Sequence, residues 1–298
     1  MHIQGYGKAV VILGFGLIAV STASVLIKLC AAPALTITLY RVGLASALYF
    51  GVSRIRGDSF RSLLNKRQLL LALLSGAALS LHFITWISSL NHTSVASSVV
   101  LVVTSPVWVA LGSFIFLKEK PPGLMLLGIV ITFSGSVIIS GADFSVDPSS
   151  LVGNFLALAG ALFVAIYLII GRRLRASVDT FPYVAIVYGV AALVTFLFII
   201  LSKTPFYGFD TRTFILLFAI ALLPQVVGHT SFNWALKYLS ATVVSIVSLG
   251  EPIGASILAW LILGEKISVM QFVGGSVILF GLTLSLIVET RQVRNRIG

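Results

Sequence analysis

Apolar residues gather in ten long runs separated by short polar stretches. The runs are Ala9–Leu29, Leu35–Ser53, Gln68–Leu90, Ser94–Leu117, Gly123–Ser140, Val152–Gly171, Pro182–Leu201, Thr213–Leu236, Ala241–Leu263 and Val269–Val288. Each is near the roughly 20 residues that a helix needs to cross a bilayer. In hydrocarbon every backbone polar group must be paired internally, so the runs are predicted as helices. They lack the period-two alternation of a membrane β-barrel. The predicted fold class is all-α, a polytopic membrane protein of ten transmembrane helices. The first run exceeds the ~7–15-residue core of a secretion signal and reads as a retained helix. The longest polar connections, around Arg54–Arg67 and Gly141–Leu151, leave no room for a large soluble domain.

Composition agrees with this pattern. Hydrophobic residues make up 58% of the chain and charged residues 10%, with a mean hydropathy of +1.08. A soluble domain carries roughly 25% charged residues. The net charge of +11 raises nucleic acid as a partner, but the basic residues fall in the gaps between apolar runs. With both termini on one side, that side collects fifteen Lys and Arg residues and the other only four, Lys28, Lys203, Arg212 and Lys266. Positive charge marks the cytoplasmic face, so both termini are predicted to be cytoplasmic, in the inner membrane of a bacterium. The single cysteine, Cys30, excludes an intramolecular disulfide and reads as a small filler at a helix end.

The two halves repeat. A shift of 146 residues carries Gly7 onto Gly153, Gly14 onto Gly160, Ser94 onto Ser240, Pro106 onto Pro252, Glu119 onto Glu265, Lys120 onto Lys266, Gly128 onto Gly274 and Gly135 onto Gly281. This divides the chain into residues 1–145 and 146–298, each with five spans. Five is odd, so the second repeat is inverted relative to the first. Inverted repeats build secondary transporters, with the substrate site between the halves near the membrane midplane.

The segment Leu263-Gly264-Glu265-Lys266, its partner Leu117-Lys118-Glu119-Lys120, and the prolines Pro106 and Pro252 resemble the EamA-type members of the drug/metabolite transporter superfamily. The resemblance covers essentially the whole chain. It implies a five-plus-five inverted fold, a central cavity, and movement of small metabolites by alternating access. The sequence departs from the family pattern at Lys118, where glycine is usual, and at Ser105, which stands where glutamate would precede Pro106. The second departure breaks the symmetry at the expected site, so the resemblance implies no particular substrate.

The chemistry-bearing candidates are polar residues inside apolar runs. Glu251 sits mid-run beside Pro252, and a charge there costs roughly 2.5–3.5 kcal/mol on insertion scales. Desolvation favours the protonated form of a carboxylate, which suits it to take up and release a proton. The alternative is a protonated glutamate bonded to a neighbouring helix. Arg41 is either a bidentate clamp for a substrate carboxylate or phosphate, a snorkelling interface residue, or a fixed partner of Glu251. His82 and Trp86 are four residues apart. Gln225, His229 and Asn233 recur every four residues and share a stripe that must face protein or water. They are candidates to line the cavity or to bond between helices, and Pro224 is predicted to bend their helix. Pro106 and Pro252 are predicted as symmetric mid-helix kinks. Tyr40, Tyr167 and Tyr188 are either cavity residues or interface anchors, and Trp108 and Trp260 read as lipid-facing. The glycine stripes at Gly128/Gly135 and Gly274/Gly281 read as close-packing scaffold or a homodimer face. Glu119 and Glu265 fall at helix ends.

No His, Cys and carboxylate set has metal-ligand spacing, and no G-x-x-x-x-G-K-S/T phosphate loop occurs. No cofactor is therefore expected. The predicted function is secondary transport of a small metabolite, such as an amino acid or related zwitterion, with proton coupling at Glu251. The rivals are an integral-membrane enzyme and a lipid flippase or channel.

Overall fold

The computed structural model of the chain describes residues 2–60, 65–93, 95–118, 122–140, 148–264 and 269–297. Ser94, Glu119, Lys120, Glu265 and Lys266, which carry part of the repeat and the helix-end charges, lie outside these residues. The chain is all-helical among the described residues. Seven helices are long and apolar enough to span a membrane, and the shorter apolar helices Ser105–Leu117, Gly123–Gly135 and Phe272–Ser285 fall in the remaining three runs.

The elements are α1 (His2–Ser21), α2 (Ala23–Leu29), α3 (Ala34–Arg56), α4 (Lys66–Ser89), α5 (Val95–Val102), α6 (Ser105–Gly112), α7 (Gly123–Ser140), α8 (Pro148–Arg175), α9 (Thr180–Ser202), α10 (Thr211–Ile220), α11 (Thr230–Ala235), α12 (Ala241–Ser248), α13 (Glu251–Leu263) and α14 (Val269–Ile297). Four of the ten runs are interrupted. The first divides into α1 and α2 at Thr22. The fourth divides into α5 and α6 and then continues as a π-helical turn, Ser113–Leu117. The eighth runs α10, a π-helical stretch Ala221–His229 holding Pro224, then α11. The ninth divides into α12 and α13.

Pro106 and Pro252 do not kink continuous helices. Each occupies the first turn of a new helix, where a missing N–H costs nothing because no intrahelical acceptor awaits it. The preceding helix closes first. At the end of α12, Leu249 N donates to Ile246 O and Gly250 N to Val247 O, both at 3.0 Å. At the end of α5, Thr104 N donates to Leu101 O at 3.2 Å and its hydroxyl to the same oxygen at 2.8 Å. The breaks follow Val102 and Ser248, which the 146-residue shift superposes. The break therefore belongs to both repeats.

Helix pairing follows the repeat. The run holding α3 packs on that holding α9, α7 packs on α14, and the broken pairs meet as α5 on α13 and α6 on α12. Each of these joins equivalent helices of the two halves. The other large contacts come in matched pairs: α4 on α8 with the π-helical stretch and α11 on α1, and α4 on α9 with α10 and the π-helical stretch on α3. Side chains such as Phe15, Ile18, Leu201, Leu261 and Phe280 remain more than half exposed on the outer surface, as a lipid-facing perimeter requires.

The glycine stripes are consumed within the chain. A Cβ on Gly135 would stand 2.7 Å from the Gly274 carbonyl oxygen and 2.9 Å from Ile278 N. A Cβ on Gly281 would stand 2.7 Å from the Gly128 carbonyl oxygen. The α7 and α14 backbones thus touch where the sequence left scaffold and dimer face as alternatives. Outside the spans, the Asp210 side chain caps α10 by accepting from Thr213 N at 2.9 Å. Hydrogen bonds from Thr213 hold the Asp210 carboxyl below its usual range. The cap is thus present at neutral pH and lost as pH falls through that lowered value.

Gly135→Ala is expected to cost about 1–3 kcal/mol, because the opposing atoms are backbone and cannot turn aside. Gly14→Ala, where a Cβ meets nothing within 4 Å, is expected to be neutral or mildly stabilising. Thermal unfolding in one detergent compares the two. Equal midpoints would show that α7 and α14 do not need the glycine contact.

Candidate functional site

Arg41 stands inside α3 and is 1% exposed. Its Nε donates to Gln225 Oε1 at 2.8 Å. Its guanidinium carbon lies 4.0 Å from the centre of the Phe83 ring and 5.9 Å from that of Trp86. Among the described residues, Arg41 Nη1 and Gln225 Nε2 have no hydrogen-bond partner. The charge is thus held by one neutral amide and two ring faces. Such an arrangement fixes a guanidinium without neutralising it.

His82 and Trp86, one turn apart on α4, stack with ring planes 4° apart and centroids 6.1 Å apart. His82 Nδ1 lies 2.9 Å from the Gly160 carbonyl oxygen, which can only accept. The proton therefore sits on Nδ1, and Nε2 of the neutral ring is an acceptor. The Phe83 and His229 rings meet edge to face at 5.1 Å. These two residues are equivalent under the 146-residue shift. Ser105 and Glu251 are equivalent too, and both line one cavity. Equivalent residues meet only near the axis relating the repeats, so the cavity lies on that axis.

The cavity measures about 50 Å³ and is lined by His82, His229, Tyr167, Ser105, Ser248 and Glu251 together with apolar side chains of α1, α5, α8, α11 and α12. That volume admits a few waters at ~10–15 Å³ each. It is well below the roughly 300 Å³ at which small-molecule pockets begin. Glu251 opens α13 and is half-buried. Arg41 and Glu251 each feel the other's charge, yet they form no ion pair among the described residues. A fixed pair, one of the readings left open by the sequence, is not formed. Nor does Arg41 snorkel, since its side chain is enclosed.

The second repeat also holds a buried hydrogen-bonded group. Asn233 Nδ2 donates to Tyr188 Oη at 3.0 Å, and Tyr188 Oη lies 3.2 Å from Thr230 Oγ1. Tyr167 lies beside Asn233 and Tyr188, but neither its hydroxyl nor Asn233 Oδ1 closes a hydrogen bond. With Arg41 Nη1, Gln225 Nε2 and Trp86 Nε1, five buried polar atoms around this locus stand unpaired. In most native interiors nine-tenths or more of such atoms are paired.

The structure brings Arg41 and Gln225 together, sets His82, His229 and Glu251 on one cavity, and stacks Trp86 behind His82. Asn233 is buried outside the cavity wall. The four-residue spacing of Gln225, His229 and Asn233 does not make one stripe facing one space, because the π-helical turns around Pro224 advance differently from an α-helix. Tyr40 donates to the Phe206 carbonyl oxygen at 3.1 Å and packs on Phe214 near a helix end, away from the cavity. Trp108 and Trp260 are 40% and 50% exposed on the outer surface. Phe83 was missed by sequence reasoning. Phe83 has no polar signal, although its neighbour His82 does. Arg175 was counted among terminal charges but is 1% exposed.

The sequence profile of the EamA-like transporter family matches residues 7–141 and 151–287. Among curated relatives, an uncharacterized transporter of Clostridium kluyveri is 29% identical over 65% of this chain and 64% of its own length, so the match spans less than two thirds of that protein. The uncharacterized transporter YxxF of Bacillus subtilis is 24% identical over 82% of this chain and 78% of its own. The uncharacterized inner membrane transporter YicL of Salmonella typhimurium is 25% identical over 87% of both chains. A solved crystal structure shares the fold, with a TM-score of 0.81 over 96% of this chain and 99% of its own at 18% identity. Both repeats match the profile: the chain belongs to the EamA-like transporter family.

Proposed function

We propose that the chain is a secondary transporter of a small metabolite bearing a carboxylate, and that an amino acid or related zwitterion fits best. The observation that carries this reading is the state of Arg41. A guanidinium wholly removed from water, with one neutral hydrogen-bond partner and an unpaired Nη1, favours an anion far more than an exposed arginine does. Glu251 and the acceptor Nε2 of His82 supply the complementary end, suited to an ammonium group. The cavity on the repeat axis supports alternating access. Its small volume corresponds to a closed conformation that rocking of the repeats would enlarge. The location at the cytoplasmic membrane, with both termini inside, rests on the fifteen-to-four distribution of basic residues. Proton coupling would run through Glu251, which lines the same cavity as His82 and His229.

Reconstitution in liposomes tests the central reading. Arg41→Gln is expected to weaken carboxylate substrates about 30-fold or more, the scale of removing one member of a buried charged contact. Saturable counterflow should be lost with it. Equal transport of amines lacking the carboxylate would contradict the assignment, and unsaturable flux would favour a channel.

Glu251→Gln is expected to abolish accumulation driven by a proton gradient while leaving substrate exchange. Accumulation that persists unchanged in this variant would remove Glu251 from coupling. A C-terminal tag should be cleaved by protease only in inverted vesicles; cleavage in intact spheroplasts would reverse the orientation.

A further inference from the structure

A second polar pocket lies at the charge-rich end of the bundle, apart from Arg41 and Glu251. It measures about 360 Å³, and its wall is built from Arg56, Asp58, Arg175, Asp179, Thr180, Phe181, Trp234, Lys237 and Tyr238. These residues come from the ends of α3, α8, α9 and α11. The volume falls within the roughly 300–1,000 Å³ range of small-molecule sites.

Its charges do not cancel. Asp58 sits 3.5 Å from Arg56 Nε, and Asp179 sits 3.5 Å from Lys237 Nζ. That leaves Arg175, which is 1% exposed. Its Nε donates to the Asn233 carbonyl oxygen at 3.0 Å and its Nη2 to Thr180 Oγ1 at 2.5 Å, while Nη1 donates to the Val178 carbonyl oxygen. All three partners are neutral. The pocket thus carries one net positive charge fixed in a buried position. The start of α9 adds to it. Asp179, the residue before the helix, makes no capping hydrogen bond with its side chain, which is turned to Lys237 instead. The uncapped first turn presents N–H donors and the positive end of a 23-residue helix.

The pocket also carries aromatic rings. Trp234 and Tyr238 lie with ring centroids 4.6 Å apart and planes tilted by 44°. Phe181 lies under the Arg56 guanidinium at 5.0 Å. We infer that this pocket is a second binding site, for a small organic monoanion with a flat apolar body. Its carboxylate sits between Arg175 and the start of α9, and its body lies against Trp234 and Tyr238. Arg175 holds the backbone of Asn233, whose side chain donates to Tyr188.

Trp234 makes the site observable. In phosphatidylcholine nanodiscs, 4-bromobenzoate brings a heavy-atom quencher to its ring, and 4-bromobenzyl alcohol is the neutral control. The expected result is saturable quenching by the benzoate and a linear, unsaturable response to the alcohol. Trp234→Phe should remove the saturable component. The double variant Arg56→Gln, Lys237→Gln should weaken it about tenfold, and it avoids Arg175, whose bonds tie three helices together. Arg41→Gln should leave the saturable component in place, which separates this site from the central reading. The inference is overturned by saturation with the alcohol at equal affinity, by a saturable component that survives Trp234→Phe or the double variant unchanged, or by its loss in Arg41→Gln.

Discussion

A guanidinium in the middle of a membrane bundle is the constraint on which the rest of the structure depends. Moving a charge into such a place is costly, and Coulomb attraction offsets the cost only when the geometry is very good. Arg41 is buried, and no carboxylate pairs with it among the described residues. It receives the Gln225 amide and the faces of Phe83 and Trp86. Those groups are placed by two parts of the fold. Gln225 reaches it from the π-helical stretch around Pro224, and Phe83 and Trp86 from α4. A conventional α-helix through Pro224 would present Gln225 at another angle. The wide π turns thus supply both room for the proline ring and the aim of the amide.

The scaffold is symmetric and the chemistry is not. The breaks before Pro106 and Pro252, those two prolines and the inter-helix pairings follow the 146-residue repeat, whereas the break at Thr22 and the π-helical stretch around Pro224 occur in one half only. The polar groups break it at every step. Under the same shift Arg41 corresponds to Val187, Gln225 to Leu79, His82 to Gly228, Glu251 to Ser105 and Asn233 to Ile87. In the proposed alternating access, exchanging the roles of the halves would relate two conformations of similar energy. Asymmetry of the lining lets a substrate sit in one orientation. A pair of broken helices adds two half-helix ends at the axis, and irregular backbone is tolerated in a membrane only where it faces protein or a cavity.

Much of the fold was legible in the sequence. Hydrophobic runs fix helices strongly, because lipid leaves the backbone few alternatives. The repeat fixed the pairing of halves through residues such as Pro106 and Pro252, although both open new helices instead of kinking old ones. The site was legible only in part. Arg41 and Glu251 stood out because charge is rare in these runs, but their separation depends on where α3 and α13 cross, which no local pattern encodes. Asn233 followed Gln225 and His229 at helical spacing, yet the π-helical stretch turned it to Tyr188 and away from the cavity lining. Arg175 carried no signal at all. A basic residue at a span end is ordinarily solvated, and its burial came from the packing of α8, α9 and α11.

The central claim is that the two helix breaks line a single space on the repeat axis that opens to alternate sides of the membrane. Accessibility of single cysteines tests it most directly. In a Cys30→Ser background, Ser105→Cys and Ser248→Cys are treated with a membrane-impermeant thiol reagent, in intact cells and in inverted vesicles. The account predicts that both positions react from both sides and that a transported substrate protects both. Reaction from one side only, or from neither, would contradict it.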